Sequence, residues 1–113
     1  MPYIVYLLFI DGEVAGYVSS YQDKEPGKPE VTYWIGKSYW GKGVATRGLT
    51  AFLLHYTVRP IYARAAKDNI ASLRVLEKCG FIRVGENRDF ASGRGQETEE
   101  LILQLPLRGM LGI

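Results

Sequence analysis

Gly41 and Gly43 bracket Lys42 directly before a helical pattern that starts at Val44. Two glycines at the mouth of a helix let the backbone approach a ligand closely, and the first helical N–H groups find no partner inside the helix. Joined to the positive end of the helix dipole, they make an anion site suited to phosphate. The same residues also fit a tight strand-to-helix turn that binds nothing.

Two common nucleotide motifs fail on this turn. A P-loop needs G-x-x-x-x-G-K followed by Ser or Thr. Gly36, Gly41 and Lys42 fit, but Gly43 stands where the magnesium-holding hydroxyl belongs. A dinucleotide fingerprint needs a third small residue after G-x-G-x-x and an acid about twenty residues on. Thr46 occupies the third position, and the region around Ile61–Arg64 has no acid. Metal chemistry has few ligands to work with: one histidine, His55, and one cysteine, Cys79, make a dedicated zinc site an unfavoured reading, and no metal is expected. Cys79 stands just before a helix stop and reads as packing. His55 lies well past the turn and reads as structural or exposed.

The elements that hold the turn follow from periodicity. Tyr3–Ile10 and Val14–Tyr21, joined by Asp11-Gly12, read as a β-hairpin. Gln22–Pro29 is a polar loop with two prolines. Glu30–Ile35 is a strand that runs into the glycine turn. Ala45, Leu49, Phe52, Leu53 and Tyr56 recur at helical spacing and predict a helix over Val44–Tyr56. Ile61–Ala66 reads as a short strand. Asp68 or Asn69 caps a second helix, Ile70–Cys79, with Ile70, Leu73, Leu76 and Cys79 on its apolar side. Gly80 sits where a left-handed C-terminal cap belongs. Phe81–Glu86 and Thr98–Leu105 read as strands around a polar loop, Asn87–Gly95. The order β-β-β-α-β-α-β-β requires crossovers in the middle, so a mixed α/β sheet with a central parallel pair is expected.

A resemblance narrows the phosphate site. Trp40-Gly41-Lys42-Gly43-Val44-Ala45 resembles the acyl-CoA pyrophosphate loop of the GCN5-related N-acetyltransferases, Q/R-x-x-G-x-G/A, with Trp40 in the Gln or Arg place. Asp68–Phe81 is similar to that family's N-x-x-S…E-K-x-G-F helix. Glu30-Val31-Thr32-Tyr33-Trp34-Ile35 resembles the E-I-G-Y-W-L strand of the subgroup like the ribosomal-protein (Rim-type) N-acetyltransferases. The likeness runs from about Tyr3 to Leu105. It implies a mostly antiparallel sheet with a splayed parallel pair and flanking helices, the acyl-CoA N-acyltransferase fold. That fold normally opens with a strand and two helices before the hairpin; here the hairpin begins at residue 3, so an N-terminally truncated version is implied.

The resemblance also implies roles. Gly41, Lys42, Gly43, Val44, Ala45 and Thr46 would hold the pyrophosphate of acetyl-CoA, the co-substrate. Trp34 and Ile35 would pair by backbone with its pantetheine arm, and Asn69 would contact that arm. Ser72 matches the subgroup's general acid, which protonates the departing thiolate; the tyrosine used elsewhere in the family would fall at Leu76, which has no proton to give. Glu30 matches the subgroup's candidate base, acting through water on an amine that arrives as ammonium. Tyr33, Trp34 and Trp40 either shape the acceptor pocket or pack as aromatic core. The implied reaction moves an acetyl group to a primary amine by direct attack; a non-catalytic acyl-CoA-binding module is the alternative.

Composition sets the outer bounds. The 113 residues suffice for one domain, 1–113, with 47% hydrophobic and 23% charged residues. A net charge of +2, with 14 basic residues scattered along the chain, argues against a nucleic-acid partner. The apolar run Tyr3–Ile10 is too short for a membrane span and lacks the basic flank of a signal peptide. A lone cysteine fits a reducing compartment, so a cytoplasmic location is expected. The acceptor is expected to be a small-molecule or peptide amine. An uncovered sheet face or edge needs a cover, which makes a homodimer one expectation.

Overall fold

The computed structural model describes residues 3–22, 28–91 and 96–107. In chain order these form β1 (Tyr3–Ile10), β2 (Glu13–Gln22), β3 (Pro29–Ile35), α1 (Val44–His55), β4 (Ile61–Ala66), α2 (Ile70–Lys78), β5 (Ile82–Ala91) and β6 (Gln96–Leu105), with a 3₁₀ turn at Lys37–Tyr39. One six-stranded sheet runs β1-β2-β3-β4-β6-β5. All neighbours are antiparallel except β3 and β4, the parallel pair expected at the centre. Asp11 and Gly12 turn the first hairpin with φ of 50° and 80°.

Both helices pack on one face of the sheet. Val18 and Val31 of the sheet meet Leu49, Phe52 and Leu53 of α1, and Leu73 and Leu76 of α2, in one cluster that extends to Leu101 and Leu103. Burying a side chain of this size contributes about 1.5–3 kcal/mol. That matters for α1, whose Val44, Thr46, Gly48 and Thr50 are weak helix formers; packing of Leu49 and Phe52 holds it, not propensity. Its last carbonyls are met by the Arg59 guanidinium, which donates to Leu53 O at 3.0 Å and Tyr56 O at 2.8 Å.

α2 is bounded by local chemistry. Asn69 caps it through Oδ1, which accepts from Ser72 N at 3.2 Å. At its other end Gly80, φ 97°, lets Gly80 N donate to Glu77 O and Phe81 N donate to Leu76 O. That paired arrangement is the Schellman motif, and Gly80 is the cap the sequence led us to expect. Ile70, expected on the apolar side, is exposed instead; Leu73 and Leu76 alone of α2 are fully buried.

The segment Asn87–Gly95 differs from its expected loop. β5 continues to Ala91, pairing Asn87 with Glu100 and Ala91 with Gln96. Its polar sequence lacks the apolar alternation of a core strand, yet the ladder with β6 satisfies its backbone, and that suffices for an outer strand. Residues 92–95 lie outside the described residues, as do 23–27 of the polar loop and 108–113 of the tail.

The opposite sheet face carries no helix among the described residues. There Leu7, Tyr17 and Trp34 line up across β1, β2 and β3, with Leu7 57% and Trp34 55% exposed. Tyr17 and Trp34 stack at 6.3 Å, and Val5 and Phe9 flank Leu7 on β1. No helix among the described residues is long and apolar enough to cross a membrane.

Candidate active site

β3 and β4 share a single register pair, Glu30 with Tyr62. Beyond it the two parallel strands diverge toward their C-terminal ends, and the wedge between them opens into a cleft of about 870 Å³. The small side chains of Ala63, Ala65 and Ala66 on β4 keep that space clear. A crevice at the carboxyl ends of parallel strands is where open α/β sheets place ligands. Both helices start at this mouth: Val44, Ala45 and Thr46 of α1, and Asn69 and Ser72 at the start of α2, border the cleft.

The α1 end has the backbone features that an anion site needs. Gly41 and Gly43 take φ of 76° and 72°, values costly for a side chain. Gly43 is the N-cap; no side chain caps the helix, and no acid lies in its first turn. The N–H groups of Val44, Ala45 and Thr46 have no carbonyl within the helix to meet. A Cβ on Gly41 or Gly43 would meet no atom within 4 Å, so open space surrounds both. Lys42 is exposed and lies outside the cleft lining, while Arg47 folds back at 3.4 Å onto Lys42 O and Gly43 O.

The loop is tied to the end of β3. Trp40 Nε1 donates to Ile35 O at 2.8 Å, and Gly36 N donates to Ala15 O at 2.8 Å. Gly16 stands opposite Ile35, and a Cβ there would collide with Trp34 O. The Trp34 carbonyl therefore faces β2. Alternation along a strand turns the Tyr33 and Ile35 backbone groups the other way, toward β4 and the cleft. Of the two residues expected to offer backbone to a ligand, Ile35 faces the cleft; Trp34 sends its carbonyl to β2 and its ring to the bare face.

Across the cleft, Tyr33 O–H and Ser72 Oγ stand 2.9 Å apart. Burial pushes the Tyr33 phenol above its ordinary 10.0, and the Ser72 hydrogen bond opposes that rise. Asn69 is occupied as the α2 cap, its Oδ1 holding Ser72 N. Glu30 sits at the closed apex of the wedge, 7% exposed. Arg64 Nη2 stands 3.1 Å from its Oε2, and the Tyr21 hydroxyl donates to its Oε1 at 3.2 Å. Glu30 does not border the cleft; Arg64, its partner, does. Among the described residues no three His, Cys, Asp or Glu side chains gather as a metal site would need. Cys79 is half-buried, with Sγ 3.6 Å from Thr50 Oγ1 and 3.8 Å from Thr46 O, a packing position. His55 is exposed beside Tyr6.

Residues 2–82 match the model of the acetyltransferase (GNAT) domain. The chain belongs to the GNAT acetyltransferase family. Curated relatives agree. Over 80% of its length the chain is 27% identical to the uncharacterized N-acetyltransferase p20 of Bacillus licheniformis, covering 53% of that protein. Over 72% of its length it is 28% identical to the ribosomal-protein-serine acetyltransferase of Escherichia coli, covering 48% of it. This GNAT chain thus spans about half the length of the curated relatives it matches. In fold it resembles the microcin C7 self-immunity acetyltransferase, solved with acetyl-CoA and AMP, at a TM-score of 0.82 and 20% identity, over 93% of this chain and 61% of that one.

The GNAT fold gathers most of the residues singled out in the sequence around one cleft: Trp34, Ile35, Gly41, Gly43 to Thr46, Asn69 and Ser72, with Lys42 and Glu30 outside its lining. Three features were not read from sequence in these roles: the Tyr33 hydroxyl, the Trp40 indole N–H and Arg64. For Tyr33 a signal existed. Val31, Tyr33 and Ile35 alternate along β3, which puts the phenol on the side where both helices lie.

Proposed function

We propose that this chain is an N-acetyltransferase that moves an acetyl group from acetyl-CoA to a primary amine by direct attack. The observation that carries this reading is the α1 start. It is an uncapped helix N-terminus with two positive-φ glycines and no acid in its first turn, at the open end of a splayed β3–β4 pair. That combination suits a pyrophosphate, and the chain's family supplies the co-substrate that bears one.

In this reading Gly41 to Thr46, Lys42 included, receive the pyrophosphate. The cleft-facing backbone of Tyr33 and Ile35, in place of the Trp34 and Ile35 pair, pairs with the amide-bearing arm as an added strand would. Asn69 contributes by holding the first turn of α2 in place. Ser72 protonates the thiolate that leaves. Glu30, held by Arg64 and Tyr21, accepts the amine proton through water. The acceptor is a small-molecule or peptide amine. The site works in a single domain, in the cytoplasm, without metal and without nucleic acid. A second copy covers the bare face, where Leu7, Phe9 and Trp34 stand exposed beside the uncharged edge strand β1.

Titration calorimetry with acetyl-CoA tests the binding step. CoA release is then followed with a peptide bearing a free N-terminus, a free amino acid and spermidine. Binding plus release with one acceptor is the expected result. Ser72→Ala should lower turnover and leave acetyl-CoA affinity within twofold; equal losses in both would give Ser72 a binding role instead. Light scattering checks the second copy, which a strictly monomeric chain at all concentrations rules out. One observation favours a non-catalytic acyl-CoA-binding module: Glu30 is enclosed at the apex and does not border the cleft. Binding without release from any acceptor selects that module.

A further inference from the structure

The reading of Ser72 as proton donor leaves a chemical gap, and the inference drawn here rests on that reading. A serine hydroxyl is a poor acid for the task. Aliphatic hydroxyls, like water, give up a proton only far above neutral pH, whereas a thiol titrates near about 8.5 and a phenol near about 10. An unaided Ser72 would have to become an alkoxide to neutralise a departing thiolate. An ordinary phenol stands about 1.5 pH units from a thiol, and a phenol raised by burial, as Tyr33 is, still lies far nearer to it than an aliphatic hydroxyl does.

The cleft holds such a phenol. The Tyr33 hydroxyl is 2.9 Å from Ser72 Oγ, although the two residues are 39 positions apart, on β3 and on α2. That distance is a direct O–H···O bond. Both residues border the cleft. The Tyr33 ring packs against two apolar clusters among the described residues, which fixes its hydroxyl. Two hydroxyls joined by one hydrogen bond carry two protons, and only one lies in the bond. With Tyr33 as donor, the second proton is that of Ser72, available to turn into the cleft. The phenol's raised pKa keeps it protonated at neutral pH.

We propose that Tyr33 supplies the proton that Ser72 passes to the leaving thiolate. When the adduct of amine and thioester collapses, the C–S bond breaks and its electron pair moves to sulfur. The Ser72 O–H proton goes to sulfur as the Tyr33 O–H proton goes to Ser72 Oγ. The phenolate regains a proton from water, and the proton shed by the attacking nitrogen leaves through water on the Glu30 side. Tyr33 is then a positioning residue that acts through Ser72, not on the substrate.

Tyr33→Phe removes one oxygen and keeps the packed ring. With acetyl-CoA and the acceptor peptide bearing a free N-terminus, kcat should fall roughly tenfold while KM for acetyl-CoA stays within twofold. The double variant Tyr33→Phe/Ser72→Ala should be no slower than Ser72→Ala alone, because two members of one relay do not add. Losses that multiply, or a Tyr33→Phe variant as fast as the parent, overturn the relay and leave the transferase reading intact. A parent chain that binds acetyl-CoA yet releases no CoA with any of the three acceptors overturns the transferase reading and the relay together. Melting curves of all variants accompany the kinetics, and an intact Ser72→Ala with parental turnover also overturns the relay.

Discussion

α1 and α2 both begin at the mouth of the same cleft, but their first N–H groups are met in different ways. α2 is closed by its own chain: Asn69 Oδ1 accepts from Ser72 N and Asp68 O from Ile70 N, so two N–H groups of its first turn are met before any ligand arrives. α1 begins at Gly43 with no side-chain cap, and its first turn carries no acid. One helix start is a finished structural joint that presents a hydroxyl, Ser72. The other is left unmet, held in shape by Trp40 Nε1 on Ile35 O and by Arg47 folding back onto Gly43 O. In the proposed reaction the difference divides the work: main-chain N–H groups of α1 for an anion, side chains of α2 for proton chemistry.

The strongest way to break this contrast is to make α1 resemble α2. Gly43→Asp puts a carboxylate where the anion is expected, and Asp tolerates the left-handed region better than most residues. Like charges placed together cost several kcal/mol, so acetyl-CoA affinity should fall by roughly a hundredfold or more. The melting temperature should move by only a few degrees, since Asp is also a good helix cap. Calorimetry and a melt on one sample decide it; an unchanged Kd would remove the pyrophosphate from α1.

Glu30→Gln probes the far end of the wedge. If Glu30 takes the proton of an ammonium acceptor through water, its loss matters most at low pH, where nearly all acceptor is protonated, and fades as free amine becomes abundant. Turnover should fall by roughly tenfold to a hundredfold near pH 6 and far less near pH 9, with acetyl-CoA affinity kept. A deficit equal at all pH values assigns Glu30 to structure, as the partner of Arg64 and Tyr21.

Asn69→Ala opens the start of α2. Loss of a side-chain cap costs about 1 kcal/mol, which lowers the melting temperature by roughly 4–8 °C in a small domain. Acetyl-CoA affinity should change less than it does in Gly43→Asp. The reverse ranking would make Asn69 the principal ligand contact and α1 the structural joint.

How much of this was legible in the sequence depends on what each residue answers to. Gly43, Asn69 and Gly80 answer to local backbone rules, and their places were readable within a residue. The parallel β3–β4 pair followed from helices that force crossovers. Asn87 to Ala91 was misread as loop because an outer strand needs a ladder more than an apolar pattern. Three contacts needed the third dimension. Tyr33 meets Ser72 across 39 residues, Glu30 meets Arg64 across the apex, and Trp40 reaches back to Ile35. The first two leave no spacing signature, since each depends on how β3 meets a neighbouring element, and the third depends on the path of the turn between Ile35 and Trp40. The Trp34 carbonyl was hidden too, because its direction follows from the register of β3 against β2.

The smallest expected effect tests the α2 side of the contrast by stability alone. Burial holds the Tyr33 phenol above its ordinary 10.0 in the folded chain. Between the unfolded and the raised folded value, the unfolded chain binds fewer protons than the folded one, so folding stability falls as pH rises. The contribution is fully present below about pH 10 and is lost as pH climbs through the folded value. From about pH 8 to about pH 11 the parent should therefore lose more melting temperature than Tyr33→Phe, which has no phenol to ionise. Ser72→Ala sharpens the comparison. The Ser72 bond opposes the rise, so removing it should push the Tyr33 phenol higher still; the loss then begins at the same pH and extends to higher pH. If parent and Tyr33→Phe lose the same melting temperature over that range, burial does not hold the Tyr33 phenol above its ordinary value in the folded chain.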